Sequence, residues 1–467
     1  MARTNDDVIL PFNSARIRDK YLVTNMLGAW DVLDPSEFRL LNALKPMPGT
    51  PLWTRLKERG IVVDDKNVLP MLQKYRELNI NLFSDTSLHI AVATTKCNLS
   101  CSYCQAGAVP QEDMTYEVAT KVLEYLFGVR SPSVSLEFQG GEPLMNWPVV
   151  KFAIEHARKF NTAGKTLKIS VVTNMLLLDD EKMKVLADND VEVCTSLDGP
   201  KAVHDRNRKY VGGQGSYDEV MAKINRFKEK FGRSVGLLAT ITAASLDHAE
   251  AIVDEYVRLG HQQICLRPVN NMGTARCAWS ELGYSAEEFN AFYGRAMDYI
   301  LKLNAKGTVI MERMALVMLT KVLEGKDPGY VDLMNPCGAG RTTMAYMPDG
   351  SCYPCDEARM IGEDMFKLGN ILSETYDDMV KKENLQHLLQ ASCAGLWDGA
   401  SVFSPWAGHC PVVNYALQKN IVPKVHCSSQ NKIMTAQFMY LFDKIVAQGA
   451  DLEIFKRWLA GDSHGKK

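Results

Sequence analysis

Three closely spaced cysteines follow the apolar segment 88–93. Cys97, Cys101 and Cys104 form a C-x3-C-x2-C pattern. Three thiolates without a nearby fourth leave one iron of a four-iron cluster open to a ligand that is not protein. A structural zinc ion usually takes four closed ligands from C-x2–4-C pairs, and no second pair lies close by. The spacing therefore favours a [4Fe–4S] cluster with one open iron, with zinc binding and redox pairing as the alternatives.

A second motif that could bind a ligand is the pair Gly140-Gly141 followed by Glu142. It lies directly after the strand-like segment 134–138. Adjacent glycines allow a backbone to approach a ligand closely, and a nearby carboxylate can accept a hydrogen bond from a bound ammonium group. A Gly-Gly pair alone usually marks only a turn. Its place after a strand downstream of the cysteines makes it a candidate ligand-binding loop.

Strand-like and helical patterns alternate around these motifs. Near-continuous apolar strands that alternate with helices indicate a parallel sheet covered by helices. Six such units fit a partial barrel, in which the chemistry lies at the carboxyl ends of the strands. Both motifs fall at such ends. The predicted strands are 88–93, 134–138, 167–172, 191–197, 235–241 and 263–269, and the predicted helices are 114–128, 147–160, 216–230 and 248–259.

The cysteine run, with Tyr103 before its last cysteine, resembles the signature of radical S-adenosylmethionine (SAM) enzymes. The resemblance implies an α/β fold with a partial (β/α)6 TIM-like barrel. It also implies that the open iron binds the methionine part of SAM, and that reduction releases a 5′-deoxyadenosyl radical. In such a site the cofactor carries the chemistry while the protein positions it and excludes water.

The glycine motif resembles the GGEP motif of the same family, which holds the amino group of SAM. By the same resemblance, three polar residues at later strand ends are candidates for contacts to the ribose or carboxylate of SAM. Each of them could equally be a turn or cap residue. The candidate cofactor-binding residues are Gln139, Gly140, Gly141, Glu142, Asn174, Ser196 and Arg267.

A further group of cysteines lies beyond residue 330. Cys337 and Cys355 flank a predicted hairpin with a strand at 342–347 and a tight turn that ends at Gly350. The C-x12-G-x4-C pattern resembles the opening half of a SPASM domain, the auxiliary-cluster module of many radical enzymes. Residues 366–371 resemble the strand that follows in such domains. A single zinc site is the alternative.

The chain departs from the full SPASM pattern. Asp398, Ser401 and Ala407 stand where three ligands of a second auxiliary cluster would lie. The resemblance then implies one auxiliary cluster. Cys393 and Cys427 could instead complete it, and a reduced second site that involves Asp398 also stays open. The predicted ligands are Cys337, Cys352, Cys355 and Cys410.

The amino-terminal segment looks like a separate module. Residues 8–17 and 21–33 are predicted strands, and Asp34 and Glu37 have the spacing of a capping box that begins a helix. Helices are predicted at 51–59 and 68–78. A hairpin followed by three short helices resembles the winged-helix element with which peptide-modifying radical enzymes bind a leader peptide, since a sheet edge can accept an extended peptide. DNA binding is disfavoured because no dense basic helix is present, and a simple cap over the barrel is the other alternative.

Composition fits an enzyme that does not act on nucleic acid or membranes. The 467 residues include 53 Lys and Arg against 55 Asp and Glu, so no general attraction to polyanions is expected. Twelve cysteines without a secretory signal indicate metal ligation in a reducing compartment, and we expect a cytoplasmic protein. The predicted domains are a peptide-recognition module at 1–85, the barrel at 86–310, and a bridging helix with the SPASM-like domain and a carboxyl-terminal helix at 311–467.

Over its whole length the sequence is similar to radical SAM maturases of His-Xaa-Ser systems. The resemblance implies a ribosomally made precursor peptide with a leader as substrate, hydrogen abstraction that leads to a crosslink, and an electron donor such as flavodoxin or ferredoxin. Asp356 stands where related enzymes have a proton-accepting aspartate, although a turn or salt-bridge role is equally open. A radical oxidoreductase in cofactor biosynthesis and a non-catalytic metal-binding scaffold are the alternatives. The matching segments are 11–12, 20–25, 138–144, 195–200, 254–260 and 356–360.

Overall fold

A computed structural model describes residues 7–45, 48–83, 85–106, 110–393, 401–422 and 428–462. Within these residues the chain forms an amino-terminal module, a central partial barrel and a carboxyl-terminal region. None of the described helices combines the length and the apolar character that crossing a bilayer requires.

The amino-terminal module contains a three-stranded antiparallel sheet, in the order β2-β3-β4, and a two-stranded pair of β1 with β5. Three helices complete it. The second predicted strand is broken in two because Gly28, at φ +83°, turns the chain between β3 and β4. The elements are β1 (Val8–Ile9), β2 (Phe12–Ile17), β3 (Lys20–Asn25), β4 (Trp30–Leu33), α1 (Pro35–Asn42), α2 (Pro51–Arg59), β5 (Val62–Val63) and α3 (Val68–Leu78).

Six parallel strands form the barrel, in the order β14-β12-β10-β9-β8-β6, which confirms the predicted six-unit architecture. The last predicted strand is divided: β13 pairs with β15, and only β14 continues the barrel sheet. Strands β7 and β11 form a separate small pair. The strands are β6 (Leu88–Thr94), β7 (Leu99–Cys101), β8 (Ser133–Gly140), β9 (Thr166–Val172), β10 (Glu192–Ser196), β11 (Arg208–Tyr210), β12 (Gly236–Ile241), β13 (Gln263–Ile264), β14 (Leu266–Pro268) and β15 (Met311–Glu312).

Helices cover the barrel sheet, and apolar side chains from both layers form one continuous core. Parallel strands buried in this way account for the apolar runs in the sequence. The helices of this part are α4 (Tyr116–Gly128), α5 (Trp147–Phe160), α6 (Asp180–Asp188), α7 (Lys201–Asn207), α8 (Tyr217–Phe231), α9 (Ala249–Arg258), α10 (Thr274–Cys277), α11 (Trp279–Leu282), α12 (Ala286–Ala305) and α13 (Arg313–Leu319).

The carboxyl-terminal region extends the barrel sheet. Strand β16 runs parallel to β6, with Thr343 opposite Leu88, and β17 and β18 continue antiparallel to it. The predicted strand at 366–371 is reduced to the two residues of β18, after a short 3-10 helix (Asp364–Phe366). The elements are β16 (Thr343–Tyr346), β17 (Ser351–Tyr353), α14 (Asp356–Ile361), β18 (Gly369–Asn370), α15 (Tyr376–Val380), α16 (Glu383–Cys393), α17 (Pro411–Gln418), α18 (Ser429–Ala447) and α19 (Ala450–Asp462).

Helix α18 joins the three parts. Its Asp443 accepts two hydrogen bonds from Arg18 of the amino-terminal module, at 2.7 and 2.8 Å. Its Phe442 packs edge-on against Trp30 of β4, with ring centroids 5.4 Å apart. On the barrel side, Tyr440 donates a hydrogen bond to Asp298 of α12 at 2.7 Å. The module is therefore packed against the body that carries the barrel.

Candidate functional site

The cysteine loop follows β6 at the carboxyl edge of the barrel sheet. Strand β7, inside the loop, pairs antiparallel with β11, so that Cys101 lies opposite Arg208. The backbone N–H of Ser102 also donates to the carbonyl of Asn207, at 2.9 Å. The loop is thus held by β11, the strand that follows β10 and α7 in the chain.

The other end of the loop is held by the segment after β14. The N–H of Thr274 donates to the carbonyl of Cys104 at 2.8 Å. A Cβ atom on Gly273 would lie 2.2 Å from the carbonyl oxygen of Gln105, so only glycine allows this approach. The loop is therefore held between the fourth and the sixth barrel units.

The glycine pair after β8 packs against the start of the cysteine loop. The N–H of Gly141 donates to the carbonyl of Thr94 at 2.9 Å, and the N–H of Glu142 donates to the carbonyl of Lys96 at 2.8 Å. A Cβ on Gly140 would lie 2.1 Å from the Thr94 oxygen, and one on Gly141 would lie 2.2 Å from the Lys96 oxygen. The two glycines therefore set the position of the backbone that leads into Cys97.

Glu142 is fully buried, and its carboxylate is occupied within the protein. It accepts hydrogen bonds from the N–H of Leu144 at 3.0 Å, the hydroxyl of Thr173 at 2.7 Å and the N–H of Asn174 at 2.7 Å. Burial raises the pKa of Glu142, and these hydrogen bonds oppose that rise. Glu142 therefore joins the ends of β8 and β9, and its contact to a ligand ammonium stays a prediction.

The other predicted cofactor residues lie in different surroundings. Asn174 donates to Oδ1 of Asn98 at 2.7 Å, within the cysteine loop. Ser196 ends β10, half-buried, next to Leu238 of β12. Arg267 lies 3.7 Å from Glu357 of α14. It also lines a cavity whose other lining residues come largely from the carboxyl-terminal region. The structure thus brings Asn174 to the cysteine loop and places Arg267 against the carboxyl-terminal region.

Sequence reasoning missed Arg208, which is 8 % exposed beside Cys101. It donates to the hydroxyl of Tyr103 at 2.8 Å, and that hydroxyl donates to Asp198 at 3.0 Å. Burial disfavours the charged guanidinium, but Cys101, Tyr103 and Asp198 raise the pKa of Arg208 well above its ordinary value. Its Nε has no hydrogen-bond partner among the described residues. A lone arginine has no motif, so only the β7–β11 pairing shows its place.

Asp356, the predicted proton acceptor, forms an ion pair with Arg359 at 2.6 Å. Arg359 also donates to Oε1 of Gln139 at 2.7 Å, and Gln139 donates to Glu137 at 2.6 Å. Burial and the charge of Asp356 raise the pKa of Glu137. Gln139 therefore connects Glu137 in the barrel to Arg359 and Asp356 in α14. This network joins the barrel to the carboxyl-terminal region.

Three of the carboxyl-terminal cysteines line one cavity of about 370 Å³, together with Glu357. Burial raises the pKa of Cys337 to about 12, and it raises the pKa of Cys355 and Cys410 well above the ordinary value. Such thiols are neutral unless a metal replaces their protons. Three thiols around a common cavity fit a metal cluster larger than a single ion, and here these thiols would supply the ligands.

The predicted fourth ligand, Cys352, is not brought to this cavity. It lies within β17, and its thiol donates weakly to the carbonyl of Gly350 at 3.5 Å, near Tyr125 and Tyr346. The chain turns into α14 at Cys355, so the two cysteines point into different surroundings. Cys393, at the end of α16, lies close enough to Cys337 for its negative charge to raise the pKa of that thiol.

Cys427 and Asp398 lie outside the described residues. Within the described part of the chain, no three His, Cys, Asp or Glu side chains are arranged to hold a single metal ion.

The cysteine loop fits a cluster by a different observation. Burial raises the pKa of Cys97, and it raises the pKa of Cys101 to about 11. A cluster held by three thiolates carries negative charge, and the Arg208 guanidinium beside Cys101 opposes that charge. The residues present therefore fit the cluster that the spacing predicts.

Comparison with known proteins agrees with this geometry. Residues 92–255 match the family described as the Radical SAM superfamily, and residues 337–398 match SPASM, an iron–sulfur cluster-binding domain. The chain therefore contains a radical SAM domain followed by a SPASM domain. A radical SAM domain binds a [4Fe–4S] cluster and SAM, and a SPASM domain binds auxiliary iron–sulfur clusters.

Similar proteins extend over most of the chain. A cysteine-type anaerobic sulfatase-maturating enzyme of Clostridium novyi is 22 % identical over 377 residues, covering 78 % of this chain and 96 % of that protein. The structure of native anSMEcpe with bound AdoMet and Kp18Cys peptide superposes with a TM-score of 0.68 at 21 % identity, covering 78 % of this chain and 98 % of that one.

Streptococcus suis SuiB bound to its precursor peptide SuiA superposes with a TM-score of 0.54 at 14 % identity, covering 88 % of this chain and 96 % of that one. At these identities the structural likenesses establish the fold.

Proposed function

We propose that this radical SAM enzyme modifies a ribosomally synthesised precursor peptide, whose leader binds to the amino-terminal module. The observation that carries the proposal is the module itself. Residues 8–78 form a sheet with three helices, and they precede the first residue matched by the radical SAM family. An added module of this kind is suited to substrate recognition, since the barrel and the SPASM domain already provide the chemistry.

The surface of the module supports peptide binding. Leu69 and Leu72 on α3 are 70 % and 46 % exposed, and they lie one helical turn apart on one face. An apolar helix face beside a small sheet can bind an extended or helical peptide segment. Exposed leucines would not favour a phosphate backbone, which attracts cations.

The similar proteins support a peptide substrate as well. Their names and bound molecules refer to sulfatase maturation, to the Kp18Cys peptide and to the precursor peptide SuiA. We therefore extend the substrate class of these proteins to this chain. Hydrogen abstraction from such a peptide is expected to lead to a crosslink, either carbon–carbon or thioether.

The residues of this chain have separate tasks in the proposed reaction. When bound, the [4Fe–4S] cluster and SAM supply the radical that removes a hydrogen atom. Cys97, Cys101 and Cys104 hold the cluster, and the glycine pair fixes the backbone before them. Asp356 would accept a proton at its carboxylate, and the ion pair with Arg359 orients that carboxylate.

We further propose one auxiliary cluster with Cys337, Cys355 and Cys410 as ligands. Cys393 is the candidate for the fourth position because it lies near Cys337, whereas Cys352 points elsewhere. Such a cluster would border Glu357 and the segment that carries Asp356.

The test uses anaerobically purified full-length enzyme, SAM, a reductant and the synthetic peptide encoded by a short reading frame beside the gene. We expect 5′-deoxyadenosine and a peptide product that has lost two hydrogen atoms, measured by mass spectrometry. Formation of 5′-deoxyadenosine that depends on a small metabolite, with the peptide unmodified, would contradict the proposal and favour the small-molecule alternative.

The leader site is tested by fluorescence anisotropy of the same peptide. Replacing Leu69 and Leu72 by Glu should weaken binding at least about tenfold, because two apolar contacts would be replaced by charge. Leu40→Glu is the matched control, since Leu40 on α1 is 49 % exposed and lies on another helix. Equal weakening by both substitutions would rule out α3 as the leader site.

A further inference from the structure

A second cavity of about 620 Å³ lies beside the auxiliary-cluster cavity; we call it the α18 cavity. It is bordered by the carboxyl end of β14, by residues 330–333 and by one face of α18. Asp332 and Glu357 line both cavities, so the two are neighbours. Apart from Glu357, its walls lie outside the residues matched by the two families.

One wall is a stripe along α18. Gln430, Ile433, Met434 and Gln437 recur at the spacing of a single helix face, and all four line the cavity. Gln437 is 4 % exposed and lines the cavity. A carboxamide offers both a hydrogen-bond donor and an acceptor, so Gln437 can bind a ligand there through either group.

Another part of the cavity lining carries charge. Arg267 keeps 33 % of its side-chain surface free, and its ion pair with Glu357 is 3.7 Å long, too long for a hydrogen bond. The guanidinium has five N–H donors and no hydrogen bond to another residue in the described part of the chain. Glu357 is 7 % exposed and provides acceptors on the same wall. Hydrogen-bond donors and acceptors therefore both line the cavity.

The charges select the class of ligand. Arg267 offers hydrogen-bond donors to a ligand in this cavity, and the carboxyl groups of Asp332 and Glu357 offer acceptors. A neutral group with both a donor and an acceptor matches this lining. The peptide group is such a group, and Ile433 and Met434 provide apolar surface for the side chains beside it.

We infer that the α18 cavity binds a peptide group of the substrate's core segment, with its carbonyl accepting from Arg267 and Gln437 and its N–H donating to Glu357. The inference rests on the proposed function and specifies where the modified part of the peptide lies. The leader would then bind to the amino-terminal module, and α18, which contacts that module through Asp443, would line the core site as well.

The first test is photo-crosslinking in the holoenzyme with the synthetic precursor peptide as the probe. Benzoylphenylalanine replaces Gln430 at the half-buried rim of the cavity, and Thr435, exposed on the opposite face of α18, is the matched position for the control. We expect crosslinks from position 430 to the core segment, at least fivefold above those from position 435. N-acetylglycine N-methylamide should compete with them, whereas acetate and methylammonium should not.

The outcomes separate this inference from the proposed function. If the peptide binds by anisotropy but position 430 gives no excess of crosslinks to the core, the cavity assignment is overturned and the function stands. Competition by acetate or methylammonium, without competition by the amide, overturns the ligand class. If the peptide does not bind at all, the proposed function fails.

A second measurement uses Gln437→Leu, which keeps the side-chain volume and removes both hydrogen-bonding groups. We expect KM for the peptide to rise about tenfold, while Thr435→Val leaves KM unchanged. An ester in place of the recognised peptide bond should raise KM for the wild-type enzyme through loss of the N–H. An unchanged KM for both Gln437→Leu and every ester-substituted peptide would refute the inference.

Discussion

Gly141→Ala is the most direct test of how the barrel positions its cluster loop. The new Cβ would lie 2.2 Å from the carbonyl oxygen of Lys96, whereas ordinary contacts begin at 3.4 Å. The backbone before Cys97 must therefore move, because the nearest atoms are backbone and cannot rotate away. Overpacking of this kind costs about 1–3 kcal/mol, and loss of the Gly141 hydrogen bond to Thr94 adds about 1 kcal/mol.

The size of this effect decides the assay. Unfolding entropy of about 2.1 cal/mol/K per residue gives roughly 1 kcal/mol/K for the whole chain, so the melting temperature should fall by only about 2–4 °C. Iron content is the more sensitive readout, since the displaced segment leads directly into Cys97. We expect Gly141→Ala to lose most of the iron bound at the cysteine loop after anaerobic reconstitution, with the 5′-deoxyadenosine yield falling in parallel.

Gly128→Ala is the matched control for this substitution. Gly128 ends α4, and no atom lies within 4 Å of a Cβ built there. Alanine is favoured over glycine in helices by about 0.8–1.0 kcal/mol, so this variant should retain wild-type iron and activity. Wild-type iron content and SAM cleavage in Gly141→Ala would refute the account of the glycine pair.

Three further predictions address other parts of the structure. Arg208→Met should lower the iron content at the cysteine loop and shift the cluster's reduction potential to more negative values, measured by EPR-monitored titration, and Arg208→Lys should recover part of both because it restores the positive charge. Cys352→Ser should keep the auxiliary iron, measured by metal analysis and Mössbauer spectroscopy, whereas Cys355→Ser should lose it; equal loss would contradict the placement of Cys352 outside the cavity. Burial lowers the pKa of His89 to about 3, below the value of about 6.5 in the unfolded chain. The unfolded state then binds the extra proton between these values, so His89 makes stability fall as the pH drops below about 6.5, by up to about 1.4 kcal/mol per pH unit. Urea unfolding at pH 7 and pH 5.5 should show a weaker pH dependence for His89→Gln, and an unchanged dependence would contradict the burial of a neutral imidazole.

Local pattern predicted the barrel because each unit is specified by its own residues. The predicted helix 147–160 has the bounds of α5, and the strand predicted at 88–93 differs from β6 by one residue. Periodicity also placed α2 and α3 of the amino-terminal module. The broken strands were less predictable, since the turn at Gly28 and the division of β13 from β14 depend on pairing partners elsewhere in the chain.

In the site as well, some features are predicted from residues close together in the sequence, and others depend on contacts between residues far apart. Cys97, Cys101 and Cys104 were recognised by spacing, because one short loop must supply all three ligands. The motif predicts a ligand contact for Glu142, whereas its hydrogen bonds to Thr173 and Asn174 become visible only in the folded protein.

By itself the sequence determined the cluster loop, the glycine pair and the alternation of strands and helices, since these depend on residues close together in the chain. Tertiary structure decided which distant side chains surround them. Arg208 reaches Cys101 only through the pairing of β7 with β11, and Cys352 is separated from Cys355 by the turn into α14. The α18 cavity likewise combines residues far apart in the chain, since Arg267 and Gln437, 170 residues apart, both line it. Contacts between distant residues are set by the packing of whole elements, and no local spacing encodes them.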